Sequence, residues 1–391
     1  MLNSSIFLYL YTRILDEDIS KKNIDDDDIK RAIQHMHEVY RGDPENLYKD
    51  SYVEVDYSKI EYRCAYVHKY APFHTALVYE AMSRSMAEIP HIKPMILRFL
   101  SKGPLKICSI GSGPGTDVVG LLAALHQRLH DSFSFFRISA HLVDITSEWE
   151  STFRSVVTEA MSGGCGALSE GMSDKWFKWT FQKADLQLKM SEALSKTISS
   201  SDLITLVKVV SAVACKETSK MIEKIFRVIK PGALVLFIDN ASGGFQELIS
   251  KAAAKYRLVP VYGPLNHQLY TNQTFNRERF GYKSCFKTRV AVQLLVKLNL
   301  VEYSVFISNP PQHGDMPQEI SHPPILPVPI PNLLPMPQFK VANLRLPQYL
   351  IPNRIDNGNP YEGGSLHMPD YVVTCRPRRL RNQKGPSHKK H

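Results

Sequence analysis

Five residues, Gly111-Ser112-Gly113-Pro114-Gly115, separate an apolar run beginning at Leu105 from another beginning at Val118. Three glycines so close together let a backbone make left-handed turns and approach a bound molecule closely. The spacing is G-x-G-x-G. A dinucleotide fingerprint would place its third glycine at residue 116, which is Thr, and Pro114 lacks the N–H that a pyrophosphate would draw on. The loop therefore suits a cofactor that needs close backbone approach but carries no phosphate. Downstream, Asp144 and Asp185 each close a strand-like run. Asp239-Asn240 closes another such run. The six cysteines, Cys64, Cys108, Cys165, Cys215, Cys285 and Cys375, include no pair at zinc-ligand spacing and read as reduced, mostly buried thiols.

The elements that must carry these residues alternate. Leu105 to Ile110 reads as a strand and Thr116 onward as a helix. Further strands are expected at 136–144, 178–185, 202–210 and 233–240, with helices at 147–161, 186–197, 217–229 and 245–256 and late strands at 259–262 and 288–298. That order implies an α/β fold with a doubly wound, mostly parallel, seven-stranded-type sheet whose ligand sits at the carboxyl ends of the strands. Residues 1–45 read as a peripheral acidic and helical segment, with Asp27 or Asp28 capping a solvated helix. Residues 46–104 read as a tyrosine-rich helical lead-in, its aromatics either packing residues or a lid with Tyr66, Tyr70 or His74 facing the cofactor. The cofactor domain spans 105–305. Sixteen of the 25 prolines follow Asn309, so 306–391 reads as a disordered proline-rich tail with a basic end.

In that order, the glycine loop, the acids Asp144 and Asp185, and Lys230-Pro231-Gly232 ahead of the fifth strand resemble the class I S-adenosylmethionine (SAM)-dependent methyltransferase superfamily over about Leu105 to Leu298. The resemblance implies that SAM is the cofactor. It would place Gly111, Ser112, Gly113 and Gly115 along the methionine moiety, Asp144 with Ile145 at the ribose hydroxyls, and Asp185 with Leu186 at the adenine edge. One departure stands out: where members often carry an acid two residues before the first glycine, this chain has Ser109. The resemblance leaves the methyl acceptor open. Asn309-Pro310-Pro311-Gln312 looks like the amino-methylating N-P-P-aromatic motif, but it follows the last strand and lacks the aromatic. Cys215 follows Ala214 rather than the proline typical of cytosine-C5 enzymes. Asp239-Asn240 echoes the metal-binding pair of catechol-type enzymes without their acid after strand four, so no metal is expected. The catalytic candidates are Asp239, Asn240, Tyr66 and His74.

The net charge of +10 is concentrated in seven Lys and Arg between Arg376 and His391, where there is no acid, which leaves +3 for the remainder. That tail, with the aromatic and basic residues of Tyr262–Arg289, favours RNA or a ribonucleoprotein as the acceptor. The proline run could also dock a proline-motif-binding protein. The N-terminal apolar run is too short for a membrane span and lacks a basic flank, so an intracellular protein of the cytoplasm or nucleus is expected. The competing functional class is a non-catalytic methyltransferase-fold scaffold; a nicotinamide dehydrogenase comes third.

Overall fold

A computed structural model describes residues 4–40, 49–50, 55–129 and 136–308. The proline-rich and basic tail expected at 306–391 lies outside them from 309 onward. The strands are β1 (Leu105–Ile110), β2 (Ile138–Asp144), β3 (Phe177–Lys183), β4 (Leu203–Val207), β5 (Leu234–Asn240), β6 (Leu258–Thr271), the two-residue β7 (Glu278–Arg279) and β8 (Tyr282–Lys283), and β9 (Lys287–Lys297). The helices are α1 (Ser5–Lys22), α2 (Asp26–Val39), α3 (Ile60–Lys69), α4 (Ala71–Glu88), α5 (Ile92–Lys102), α6 (Thr116–Arg128), α7 (Trp149–Met161), α8 (Ala167–Gly171), α9 (Glu192–Ser200), α10 (Thr218–Val228), α11 (Phe245–Lys255) and α12 (Leu300–Ser308).

The large sheet runs β3-β2-β1-β4-β5-β9-β6, with β1 to β5 parallel and β9 antiparallel to both its neighbours. The chain order turns back between β1 and β4, which opens a crevice at the carboxyl ends of the strands. Alternation along β1 divides its side chains between two layers. Leu105 and Ile107 join one hydrophobic cluster with α4, α6 and α7, while Cys108 and Ile110 join another with α9, α10 and α11. Helix α10 shows the period that this demands, burying Thr218, Met221, Ile222, Ile225 and Phe226.

Two close approaches set the frame around the crevice. Gly120 brings α6 against α4: a Cβ there would lie 2.5 Å from the Thr75 carbonyl oxygen and 2.9 Å from Val78 Cβ. At the amino-terminal edge of the sheet, Lys230 Nζ donates to Asp202 at 2.6 Å, and Gly232 turns in the left-handed region with φ +83°. The Lys230-Pro231-Gly232 element thus sets the entry to β5, at the end of the sheet opposite the crevice.

Residues 4–40 depart from the peripheral reading. Phe7, Leu10, Tyr11, Ile14 and Leu15 of α1, and Ile29, Ala32, Ile33 and Met36 of α2, are buried in the same cluster as β1 and α6. The acids that suggested a solvated helix occupy one face and the cap, where Asp25 rather than Asp27 or Asp28 accepts from a first-turn amide. The first late strand is longer than expected, because β6 continues past Tyr262 through register shifts against β9, which itself lies within a residue of the expected 288–298. Among the described residues no helix is long and apolar enough to cross a membrane.

Candidate functional site

The glycine loop divides its labour among its residues. Gly111, Gly113 and Gly115 all lie in the left-handed region, with φ of +65°, +49° and +73°. A Cβ on Gly111 would meet Val209 Cγ2 at 2.3 Å, and one on Gly115 would meet the Phe153 ring at 2.2 Å. A Cβ on Gly113 would meet nothing within 4 Å. Two of the glycines thus seat the loop on the protein, while the third keeps space clear. The amides of Gly111 and Ser112 both donate to the Val143 carbonyl, at 2.8 and 3.1 Å, tying the loop to the end of β2. Ser112 Oγ is buried and has no hydrogen-bond partner among the described residues.

Asp144 closes β2 and faces this loop. Its Oδ2 accepts from the Gly113 amide at 2.9 Å and its Oδ1 from the Thr146 amide at 3.0 Å. Each carboxylate oxygen can accept a second bond. After β3, Asp185 Oδ1 accepts from the Gln187 amide at 2.8 Å, and Gln187 Nε2 donates to the Val213 carbonyl at 3.1 Å, joining the loops that follow β3 and β4.

These residues border a cavity of about 640 Å³ whose lining includes Gly111, Gly113, Asp144, Ile145, Asp185 and Leu186. Ser112 and Gly115 stand behind that lining and shape the loop. Of the catalytic candidates, Tyr66, His74 and Asn240 line the cavity. Asp239 does not: it is fully buried, and its carboxylate accepts from the backbone amides of Ser211 at 3.0 Å and Asn240 at 2.7 Å. Cys215 is buried, its amide bonded to Thr218 Oγ1 at 2.8 Å, and it does not line the cavity.

Position 109 carries no acid, yet a carboxylate reaches it. Asp117, in the first turn of α6, accepts from Ser109 Oγ at 2.6 Å, from the Thr205 hydroxyl and from the Val118 amide at 2.9 Å. Burial pushes its carboxyl upward, and these bonds pull against that. The chain thus ties β1, β4 and α6 together beneath the glycine loop through an acid supplied by the helix.

The opposite wall is aromatic. Trp149 lies 5.0 Å from Tyr57 and 5.5 Å from Tyr66, centroid to centroid, and Tyr70 stacks on His74 at 5.5 Å with 19° between the ring planes. The Tyr66 hydroxyl pairs with His74 Nδ1 at 3.1 Å, and that of Tyr40 with Tyr57 at 2.6 Å. Burial, and secondarily the charge of Lys208, pull the His74 imidazole down to about 3. It is therefore neutral across the working range. Burial lifts the Tyr66 and Tyr57 phenols well above their ordinary value, so neither is ionised.

Lys208 is a cavity residue that the expected strand ends did not single out. It follows β4 with φ +58°, a conformation that costs a side-chain-bearing residue about 1–2 kcal/mol. Its amide donates to the Ile238 carbonyl at 2.8 Å, and its Nζ donates to Asn240 Oδ1 at 2.7 Å. Burial pulls the ammonium below the ordinary lysine range, with Asp239 opposing. A lone cation in the run Leu206-Val207-Lys208-Val209-Val210 was the signal in the sequence.

The stretch Tyr262–Arg289 uses its rings for packing rather than for an exposed stacking surface. Tyr262, Tyr270, Phe275 and Phe280 are buried, and Phe275 packs edge-on against Phe73 of α4. Arg279 pairs with Asp16 of α1 at 2.5 Å, and His68 Nε2 bonds to the Tyr282 carbonyl at 3.0 Å. These contacts join the amino-terminal helices to this ribbon, and Cys285 and Thr288 line the cavity. His267, Arg277, Lys283, Lys287 and Arg289 remain exposed.

A family model described as "Putative SAM-dependent methyltransferase" matches residues 17–282. Among curated proteins, none matches this chain. Similar solved structures include a "putative RNA methyltransferase" from Pyrococcus horikoshii, at 13% identity over 53% of this chain and 82% of that one with a TM-score of 0.31. A TehB-like SAM-dependent methyltransferase from Corynebacterium glutamicum is 13% identical over 56% of this chain and 87% of its own, with a TM-score of 0.30. An S-adenosylmethionine-dependent methyltransferase from Clostridium acetobutylicum is 11% identical over 56% and 92%, with a TM-score of 0.30.

Proposed function

The chain belongs to the SAM-dependent methyltransferase family whose model spans residues 17–282, and from that premise we propose that the cavity at the carboxyl ends of β1 to β4 holds SAM for methyl transfer to RNA or a ribonucleoprotein. The observation that carries the site is the Gly113–Asp144 pair. A backbone position open to the cavity adjoins a carboxylate that lines it. In this reading Gly111 and Gly113 lie along the methionine moiety, Ser112 and Gly115 hold their turn, Asp144 with Ile145 takes the ribose hydroxyls, and Asp185 with Leu186 meets the adenine edge. About 640 Å³ lies within the range of about 300–1,000 Å³ common to cofactor clefts.

Bound SAM supplies an already activated methyl group. The protein's part is to align the acceptor, exclude water and receive a proton where the acceptor must lose one. The Trp149–Tyr57–Tyr66 cluster and the Tyr70–His74 stack form an apolar wall suited to the first two tasks.

RNA as acceptor is supported by the exposed cations Arg277, Lys283, Lys287 and Arg289 on the segment that lends Cys285 and Thr288 to the cavity, and by the basic residues from Arg376 onward. Incubating the protein with tritiated SAM and fractionated cell lysate tests it. Label in RNA is expected. Label confined to small molecules or to protein without RNA would overturn the RNA acceptor. SAM binding with no label in any fraction would leave a cofactor-binding scaffold instead.

A further inference from the structure

We propose that Lys208 is the catalytic base of this cavity, and that the acceptor is therefore a group with a weakly acidic N–H or O–H rather than an aliphatic amine. This rests on the cavity being the SAM site.

Comparing the lining groups on the β4–β5 side leads there; His35 on α2, its Nδ1 at the Tyr62 hydroxyl at 3.0 Å, and Lys49 ahead of α3 come from the amino-terminal segment. The His74 imidazole is buried and neutral, and its Nδ1 is already paired with the Tyr66 hydroxyl. Asn240 does not titrate. Asp239 is turned into the backbone amides behind the cavity. The phenols of Tyr40, Tyr57, Tyr66 and Tyr70, and the Cys285 thiol, are all pushed upward by burial. Of the lining carboxylates, Asp144 and Asp185 sit on the cofactor side and Glu38 comes from α2. The groups that face Lys208 are Asp239 and Asn240 from β5, His74 from α4 and Cys285 ahead of β9.

The way Lys208 is held suits a residue that changes charge. Its Nζ bonds to the uncharged amide oxygen of Asn240 at 2.7 Å, and among the described residues no carboxylate lies within ion-pair distance of it. A carboxylate partner would lock the ammonium form. An amide oxygen accepts from the amine and the ammonium alike, leaving the amine's lone pair free for the cavity. The left-handed backbone at Lys208 and its amide bond to Ile238 fix where that side chain starts.

In the step, the acceptor's N–H or O–H bond breaks toward Nζ, the freed electron pair forms the bond to the methyl carbon, and the sulfur keeps the electrons of the broken C–S bond as an uncharged thioether. Lys208 ends as the ammonium and returns its proton to solvent. An aliphatic amine would arrive as a cation beside a lysine that has no ion-paired carboxylate among the described residues.

The test reads binding, and needs no acceptor. The ratio of SAM to S-adenosylhomocysteine affinities is measured by calorimetry from about pH 6 to about pH 9 in wild type, K208R and K208Q. An ammonium near the sulfonium penalises SAM alone, so the wild-type ratio should rise about tenfold with pH relative to K208R, which stays charged and flat. K208Q should be flat at the higher ratio. A wild-type slope matching that of K208R, or one that persists in K208Q, would overturn the role of Lys208. If wild type bound neither compound, the SAM reading would fall and this inference with it. In the lysate fraction that takes label, K208R and K208Q should both lose about a hundredfold or more in rate. Near-normal transfer by K208R would show a charge-holding role and overturn the base.

Discussion

At the scale of single residues, the three glycines of the loop separate stability from binding. Gly115→Ala meets the Phe153 ring in a left-handed position, so it should cost 2 kcal/mol or more of stability, roughly, by urea denaturation. Gly113→Ala should cost only about 1–2 kcal/mol, the backbone term, because its Cβ has no neighbour within the protein. It should nonetheless abolish SAM binding, because that Cβ fills the space kept for the cofactor. Equal effects of the two variants on both readouts would contradict this division. His74 makes a second, pH-dependent prediction. Its folded value of about 3 lies below the ordinary 6.5, so the unfolded chain binds the extra proton first. Stability from this group is complete above about pH 6.5 and drains away as the pH falls toward 3, by roughly 4–5 kcal/mol in all. Urea midpoints between neutral and about pH 4 should fall less steeply in His74→Gln than in wild type. Residue types also show where the sequence was legible. Glycines and strand-ending acids announce themselves, whereas Lys208 sat unnoticed inside an apolar run. The Asp117–Ser109–Thr205 cluster did not, because three polar residues spread over 97 positions meet only once β1, β4 and α6 are in place.

At the scale of elements, the alternation of strands and helices could be read from the sequence because each strand is a short apolar run and each helix on the sheet carries one apolar face. Boundaries moved by a few residues. The larger misreading concerned α1 and α2, whose acidic faces hid an apolar stripe of Phe7, Leu10, Ile14 and Ile29, Ile33, Met36. The extension of β6 past Tyr262 was equally hidden, because bulges break the two-residue period on which strand recognition relies. The α4–α6 crossing gives a sharp test. Gly120→Ala improves helix propensity by about 1 kcal/mol, yet its Cβ would sit 2.5 Å from the Thr75 carbonyl oxygen. The variant should therefore be destabilised by about 1–3 kcal/mol and should bind SAM more weakly, since α6 begins at the glycine loop. A stabilised Gly120→Ala would mean that α4 yields readily and does not set the position of α6.

At the scale of the whole molecule, every residue assigned to the cavity lies between His35 and Thr288. Deleting residues 309–391 should therefore leave SAM affinity within about threefold of wild type, well under the roughly 1.4 kcal/mol of a tenfold change. A large loss would give the tail a part in the cofactor site. In the proposed reading that tail and the exposed cations near Lys283 would serve acceptor choice, which labelling of RNA decides. The central claim is that this cavity holds SAM through Asp144, and calorimetric titration of SAM into wild type and Asp144→Ala tests it most directly. Wild type should bind with a dissociation constant on the order of micromolar, and Asp144→Ala, folded by circular dichroism, should bind at least about tenfold more weakly. No binding by folded wild type, or unchanged affinity in Asp144→Ala, would contradict the account.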